Sequence, residues 1–159
     1  EFLYKVHCEN MQSIGGLGKS WDFFEKVKIL MPKDAWSVHL ATMEGQPIAA
    51  LLLFYFNRTV EYYTPVILSE HRGTQALALV IFEAMKDAML RGYDNWNWGG
   101  TWLSQGGVYD FKKRWGTSEH PYYYYTQVFN QDLLSLPKAS LADDYRGFYV
   151  VPFDALKGE

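Results

Sequence analysis

Apolar and polar residues change their spacing several times along this chain, and each change marks an element. From Trp36 to Met43 the pattern alternates, with Trp36, Val38, Leu40 and Thr42 on one face, which predicts a half-buried strand. Glu44-Gly45-Gln46 reads as a hairpin turn. Pro47 to Asn57 contains almost no polar residue, so a strand buried on both faces is expected there. Asn57-Arg58-Thr59 makes a second turn, and Val60 to Leu68, rich in tyrosine and β-branched residues, a third strand. Three antiparallel strands joined by short turns form a meander.

Helical spacing surrounds that meander. Ser20 is placed as an N-cap with Asp22 in the first turn; Trp21, Phe24, Val27, Lys28 and Met31 follow along one side until Pro32 ends the helix. Thr74 caps a longer helix from Gln75 to Arg91, whose buried face is Leu77, Val80, Ile81, Ala84, Met85 and Ala88, with Gly92 as its C′ residue. Asn95 to Trp98 follows as a short strand, and the strand–helix–strand crossover makes it a parallel neighbour of the third strand. Of Trp96 and Trp98, one but not both is expected against the long helix. Ser104 or Gln105 opens another helix, with Val108, Phe111 and Trp115 inward and Gly116 at its end. Phe2, Tyr4 and Val6 alternate as in a strand, Gly15-Gly16-Leu17-Gly18 reads as a flexible loop, and Tyr122–Phe129 and Tyr149–Phe153 read as further strands. The class is α+β: a mixed sheet with an antiparallel meander, a long central helix and a parallel crossover.

Composition narrows the function. The 159 residues suit one domain, 1–159, with its core over 20–130. A hydrophobic share of 48% against 21% charged excludes a disordered chain, and the 18% aromatic share calls for a ring-rich core or cleft. The net charge of -3 argues against a dedicated nucleic-acid binder but leaves room for a local basic patch. Cys8 is alone, so no internal disulfide or cysteine-type zinc site is available, which fits a reducing cytoplasm. The four histidines show no His-x-x-x-His or Glu-x-x-His spacing, and no metal is expected. The apolar run Ile48–Phe56 is too short to span a bilayer. The start at Glu1-Phe2-Leu3, with neither Met nor a signal pattern, suggests a fragment or excised domain.

The densest chemistry lies between Asn95 and Gly107, where Trp96, Trp98 and Trp102 are interleaved with Gly99, Gly100, Gly106 and Gly107. Glycine lets backbone approach a ligand closely, and tryptophan supplies a flat wall with one donor. The alternative is a tight strand–turn–helix corner packed by its own rings.

Two patches carry a resemblance. Val66-Ile67-Leu68-Ser69-Glu70-His71-Arg72-Gly73-Thr74-Gln75-Ala76 runs from a strand through an arginine–glycine turn into a long helix, and Val108-Tyr109-Asp110-Phe111-Lys112-Lys113-Arg114-Trp115-Gly116 stands where a later helix carries a tyrosine. With the order of elements, these make residues 20 to 130 resemble the GNAT acyltransferase superfamily. Phe111-Lys112-Lys113-Arg114-Trp115-Gly116 is similar to the motif of its FemAB-like, peptidoglycan bridge-forming branch, whose members usually contain two GNAT-like halves; this chain would match the C-terminal one. One departure is Gln75, where the acyl-CoA-binding turn usually has a second glycine.

The resemblance implies transfer of an acyl group from acyl-CoA to an amine. A helix N-terminus offers free N–H groups to an anion; Arg72, Gly73 and Thr74 would hold the donor's phosphates, and backbone N–H groups at the splayed end of Val66 to Leu68 the acyl carbonyl. Tyr109, protonated at neutral pH, would act as general acid, and Lys112 would assist electrostatically. Glu61, Glu70 and His71 are the candidates for the base, although Glu61 reads more readily as a hairpin-edge charge. Tyr63, Trp98 and Trp102 would line the acceptor cleft. The alternatives are an aminoacyl-tRNA donor serving a cell-wall precursor, favoured by a basic patch over Lys112 to Arg114, and a non-enzymatic module binding a sugar or a partner. A second GNAT-like half or a homodimer is the expected partner.

Overall fold

The computed structural model describes residues 1–13, 18–101, 106–121, 123, 125–137 and 140. The chain divides into two units, Glu1–Trp115 and Gly116–Glu159. The first holds α1 (Phe2–Ser13), α2 (Trp21–Leu30), β1 (Trp36–Met43), β2 (Gln46–Phe56), β3 (Thr59–Ile67), a 3₁₀ turn (Ser69–Thr74), α3 (Ala76–Leu90), β4 (Asn95–Asn97) and α4 (Gly106–Lys113). The sheet order is β1-β2-β3-β4, antiparallel through the meander and parallel between β3 and β4.

β2 is the centre of the core because helices cover both its faces. Ala49, Leu51, Leu53 and Tyr55 pack with Ala76, Val80, Ile81, Ala84 and Ala88 of α3. Ala50 and Leu52 pack on the other face with Val66, with Leu3 and Val6 of α1, and with Phe23 and Phe24 of α2. Each fully buried leucine contributes about 2 kcal/mol relative to exposure, so this strand alone supplies a large part of the drive to fold.

The first residues are corrected from strand to helix. Leu3, Val6 and His7 are the buried positions of α1, a helical spacing that three alternating apolar residues cannot distinguish from a strand. The predicted turns hold: Glu44 and Gly45 have φ of 52° and 78°, the pair of positive angles a two-residue hairpin requires. Ser20 caps α2 by accepting from the Phe23 N–H. α3 closes on Gly92, φ 86°, whose N–H donates to the Met89 carbonyl while the Tyr93 N–H reaches that of Ala88.

In the second unit the described residues form a short 3₁₀ turn, Gln131–Ser135, capped by Asn130. The strand expected over Tyr122–Phe129 is absent among the described residues. Tyr123, Tyr125 and Phe129 are exposed there, and β-favouring side chains make no strand without a ladder partner. Residues 149–153 lie outside the described residues. No helix among the described residues is long and apolar enough to cross a membrane.

Candidate active site

β3 and β4 form a fork. Thr59, Val60 and Glu61 pair with Asn95, Trp96 and Asn97, and then β4 ends. Beyond Glu61 the β3 edge has no partner strand on that side among the described residues. At the branch point Leu52 pairs with Thr64 but Leu53 with Tyr62, so Tyr63 is the extra residue of a β-bulge. The bulge changes the phase of β3: Glu61 and Tyr63 face the α1 side before it, and Thr64 and Val66 face that same side after it.

The ladder on β2 decides which backbone groups reach the open edge. The Leu68 N–H donates to the Ile48 carbonyl. Because outward and inward groups alternate along an antiparallel strand, Val66 also points to β2 and the N–H of Ile67 points to the open edge. Val66 and Leu68, expected to offer N–H groups at the splay, are therefore replaced in that position by Ile67. The Ile67 carbonyl accepts from the Asn10 side chain of α1 at 3.3 Å.

At the closed end of the fork sits Glu61. Its carboxyl is pushed above the usual range by burial, an effect opposed by a hydrogen bond from Asn97 and by the Lys112 charge. Gly99, φ 67°, folds over it: a Cβ built there would lie 3.6 Å from Glu61 Oε1. The Gly99 N–H donates to Asn97 Oδ1 at 3.0 Å. Lys112 Nζ reaches the same turn from α4, donating to the carbonyls of Gly99 (3.4 Å) and Gly100 (3.0 Å) and to Thr101 Oγ1 (2.9 Å). Burial holds the Lys112 amine below its ordinary value, opposed by the attraction of Glu61. In both partners desolvation outweighs their mutual attraction.

Tyr109 and Lys112 diverge, although they are one helical turn apart. The Tyr109 hydroxyl accepts from Lys113 Nζ at 3.2 Å, and that ammonium lies 5.3 Å from the Tyr109 ring. The tryptophans are also redistributed. Trp96 and Trp98 both join the α3 side of the core, with ring centroids 5.9 Å apart, because residues two apart on a strand share a face; the expectation of one but not both is corrected. Trp98 meets Phe111 and Trp115 at 6.2 and 5.6 Å, so it anchors α4. Val108, expected inward with these rings, is 43% exposed. Trp102, with Ser104 and Gln105, lies outside the described residues.

Tyr63 faces the α1–α2 layer, 4.7 Å from Phe54 and 5.8 Å from Phe23, with Lys19 Nζ 4.8 Å over its ring. Burial lowers the Lys19 pKa. At the far end of β3 the 3₁₀ turn leads into α3. Thr74 Oγ1 accepts from the Ala76 N–H at 3.2 Å and donates to the His71 carbonyl, so it bonds the first residue of a helix that begins one position later than expected. Gln75 has φ 60°, a left-handed conformation that a glycine adopts without cost. Arg72 and Gly73 are exposed, and nothing lies within 4 Å of a Cβ built on Gly73. The Glu70 carboxylate beside them is held by its own backbone N–H and by the Ser69 hydroxyl, which lower its pKa. Among the described residues no three His, Cys, Asp or Glu side chains cluster as a metal site would require.

Sequence reasoning missed the bulge at Tyr63, Asn97 as the partner of Glu61, Lys19, and the aromatic pair Phe54 and Phe56. A two-residue spacing with the strand register would have aligned Asn97 with Glu61, but the register itself is set by the crossover through α3.

With this geometry in place, comparison with known proteins is informative. The chain matches the family described as acetyltransferase (GNAT) domain over residues 4–113. No curated protein matches it in sequence. Among solved structures it is similar to an aminoglycoside acetyltransferase from an uncultured soil metagenomic sample, in complex with sisomicin, with a TM-score of 0.59 at 11% identity over 80% of this chain and 87% of that one. A putative acetyltransferase from Agrobacterium tumefaciens gives a TM-score of 0.59 at 17% identity over 79% and 91%. A ribosomal-protein-alanine N-acetyltransferase from Brucella melitensis gives 0.55 at 12% identity over 80% and 92%. These likenesses share the fold, and the match over 110 positions, well beyond half of the chain, shows the family: this chain belongs to the GNAT acetyltransferases, a family of N-acyltransferases.

Proposed function

We propose that the chain transfers an acyl group from acyl-CoA to an amine at the fork between β3 and β4. The observation that carries this reading is Glu61, a half-buried carboxylate at the point where the two strands part, beside the bulge at Tyr63. The N-terminus of α3, with the Arg72 guanidinium and the open backbone at Gly73, would hold the donor's phosphates. The open edge of β3, with the outward N–H of Ile67, would hold a carbonyl of the donor chain. Glu61 would take the proton from the acceptor ammonium, whose nitrogen then bonds the acyl carbon as the carbon–sulfur bond breaks. Tyr109 would give its phenol proton to the departing sulfur and regain one from the acylated nitrogen, which thereby becomes the neutral amide. Lys112 would hold the Gly99–Thr101 turn over Glu61 and add positive charge beside it.

The FemAB-like reading is supported by the motif Phe111 to Gly116, whose parts have distinct structural uses: Phe111 and Trp115 grip Trp98, and Lys112 ties the turn. In that reading the chain is the C-terminal half of a two-domain protein, the donor is aminoacyl-tRNA, and exposed Lys113 and Arg114 meet its phosphates.

Isothermal titration with acetyl-CoA tests the first reading. Micromolar binding is expected, weakened about tenfold by Arg72→Ala, as for a lost charged hydrogen bond. A folded chain that binds no acetyl-CoA overturns it, and binding of an aminoacyl-tRNA by that same chain then selects the second.

A further inference from the structure

Beside the fork, the β2–β3 hairpin builds a depression of about 310 Å³ lined by Phe54, Phe56, Asn57, Thr59 and Glu61. Cross-strand register explains why these side chains converge. Phe54 stands opposite Glu61 and Phe56 opposite Thr59, and residues two apart on a strand share a face. Phe54 also packs with the α1–α2 layer, while Phe56 at the tip of the strand is 83% exposed. The depression thus has an apolar floor, an amide at its outer end and one carboxylate at its inner end, where β4 departs.

We propose that this depression seats the acceptor, and that the acceptor is a primary amine carried on an apolar stem: its ammonium against Glu61 and its stem across Phe54 and Phe56. The chemistry of the lining selects this class. A carboxylate attracts an ammonium, and aromatic faces add attraction for the same cation. The phenylalanine floor offers no hydrogen bond and the rest of the lining, Asn57 and Thr59, offers few, so a sugar amine would set part of its hydroxyls against rings, at a cost of about 1–3 kcal/mol for each one buried without a partner. The volume is at the lower end of small-molecule sites, which matches a stem and not a multi-ring ligand. The proposal rests on the transfer reading for the fate of the amine, but the binding it describes stands apart from catalysis.

Ligand-observed NMR on the full chain with n-hexylamine, n-hexanol and glucosamine as probes tests the binding; release of CoA from acetyl-CoA with each amine tests the transfer. n-Hexylamine is expected to bind, n-hexanol and glucosamine to bind about tenfold more weakly or not at all, and Phe56→Ser and Glu61→Gln each to weaken n-hexylamine about fivefold or more. Phe56 is on the surface, so Phe56→Ser leaves the fold intact. Glucosamine bound as well as n-hexylamine, or n-hexylamine binding untouched by Phe56→Ser, overturns the proposal. If n-hexylamine binds as described but no amine releases CoA, the depression stands and the transfer reading falls. If amines are acylated with no dependence on Phe56, the transfer reading stands and the depression falls.

Discussion

Lys112 illustrates how one side chain acquires two tasks. Its ammonium spans from α4 to three oxygens of the Gly99–Thr101 turn and lies near enough to Glu61 to oppose the burial that raises that carboxyl's pKa. A methionine would keep the stem and lose both effects. Lys112→Met is therefore expected to lower the urea unfolding free energy by about 1 kcal/mol, the lower end for charged hydrogen bonds because the site is partly open to water. It also removes the charge that, after the Asn97 hydrogen bond, opposes the burial-driven rise of the Glu61 pKa, so the acidic limb of the pH–rate profile for amine acylation should move to higher pH. An unchanged limb in a variant with normal folding would separate Lys112 from Glu61.

At the scale of elements, the termini of α3 do different work. Its C-terminal end is a structural stop, with Gly92 at φ 86° and two hydrogen bonds closing the last turn. Gly92→Ala forces a Cβ into the left-handed region and is expected to cost about 1 kcal/mol of stability, measured by urea denaturation, with acetyl-CoA affinity unchanged. The 3₁₀ turn that leads into its N-terminal end, Ser69–Thr74, has no buried residue. β3 is likewise divided: the bulge at Tyr63 separates a half that is paired on both edges from a half that, among the described residues, is paired only with β2. Strand pairing thus both builds the sheet and leaves the opening at its branch.

Across the first unit, buried His7 and half-buried His39 shape the response to acid. His7 is buried, its ring Nε2 accepting from the Lys19 N–H at 2.9 Å, and burial, then the Lys19 charge, lowers its pKa. His39, under α3, is lowered by burial and by Arg91 against the opposing pull of Asp87. Both folded values lie below the unfolded value of about 6.5, so their contribution is complete above that pH and is lost as pH falls through the folded values. Glu61, raised on folding, acts in the opposite direction across the carboxylate range. The urea midpoint is expected to fall between about pH 7 and pH 5, and His39→Gln to flatten that fall. An equal fall in the variant would remove His39 from this account.

By itself the sequence determined the meander, the long helix with its glycine stop, the parallel crossover and the family, because period-2 and period-3.6 patterns, turn residues and short motifs are local properties of the chain. Tertiary structure decided the rest. Helical packing of Leu3 and Val6 made α1 from an ambiguous pattern. Register across the crossover put Asn97 beside Glu61 and turned the face that both tryptophans share toward α3. A one-residue slip at Tyr63 directed Ile67, not Val66 or Leu68, to the open edge. Each of these is settled by pairing between residues far apart in the chain, and a pairing register is a property of two segments together that neither segment's own pattern contains.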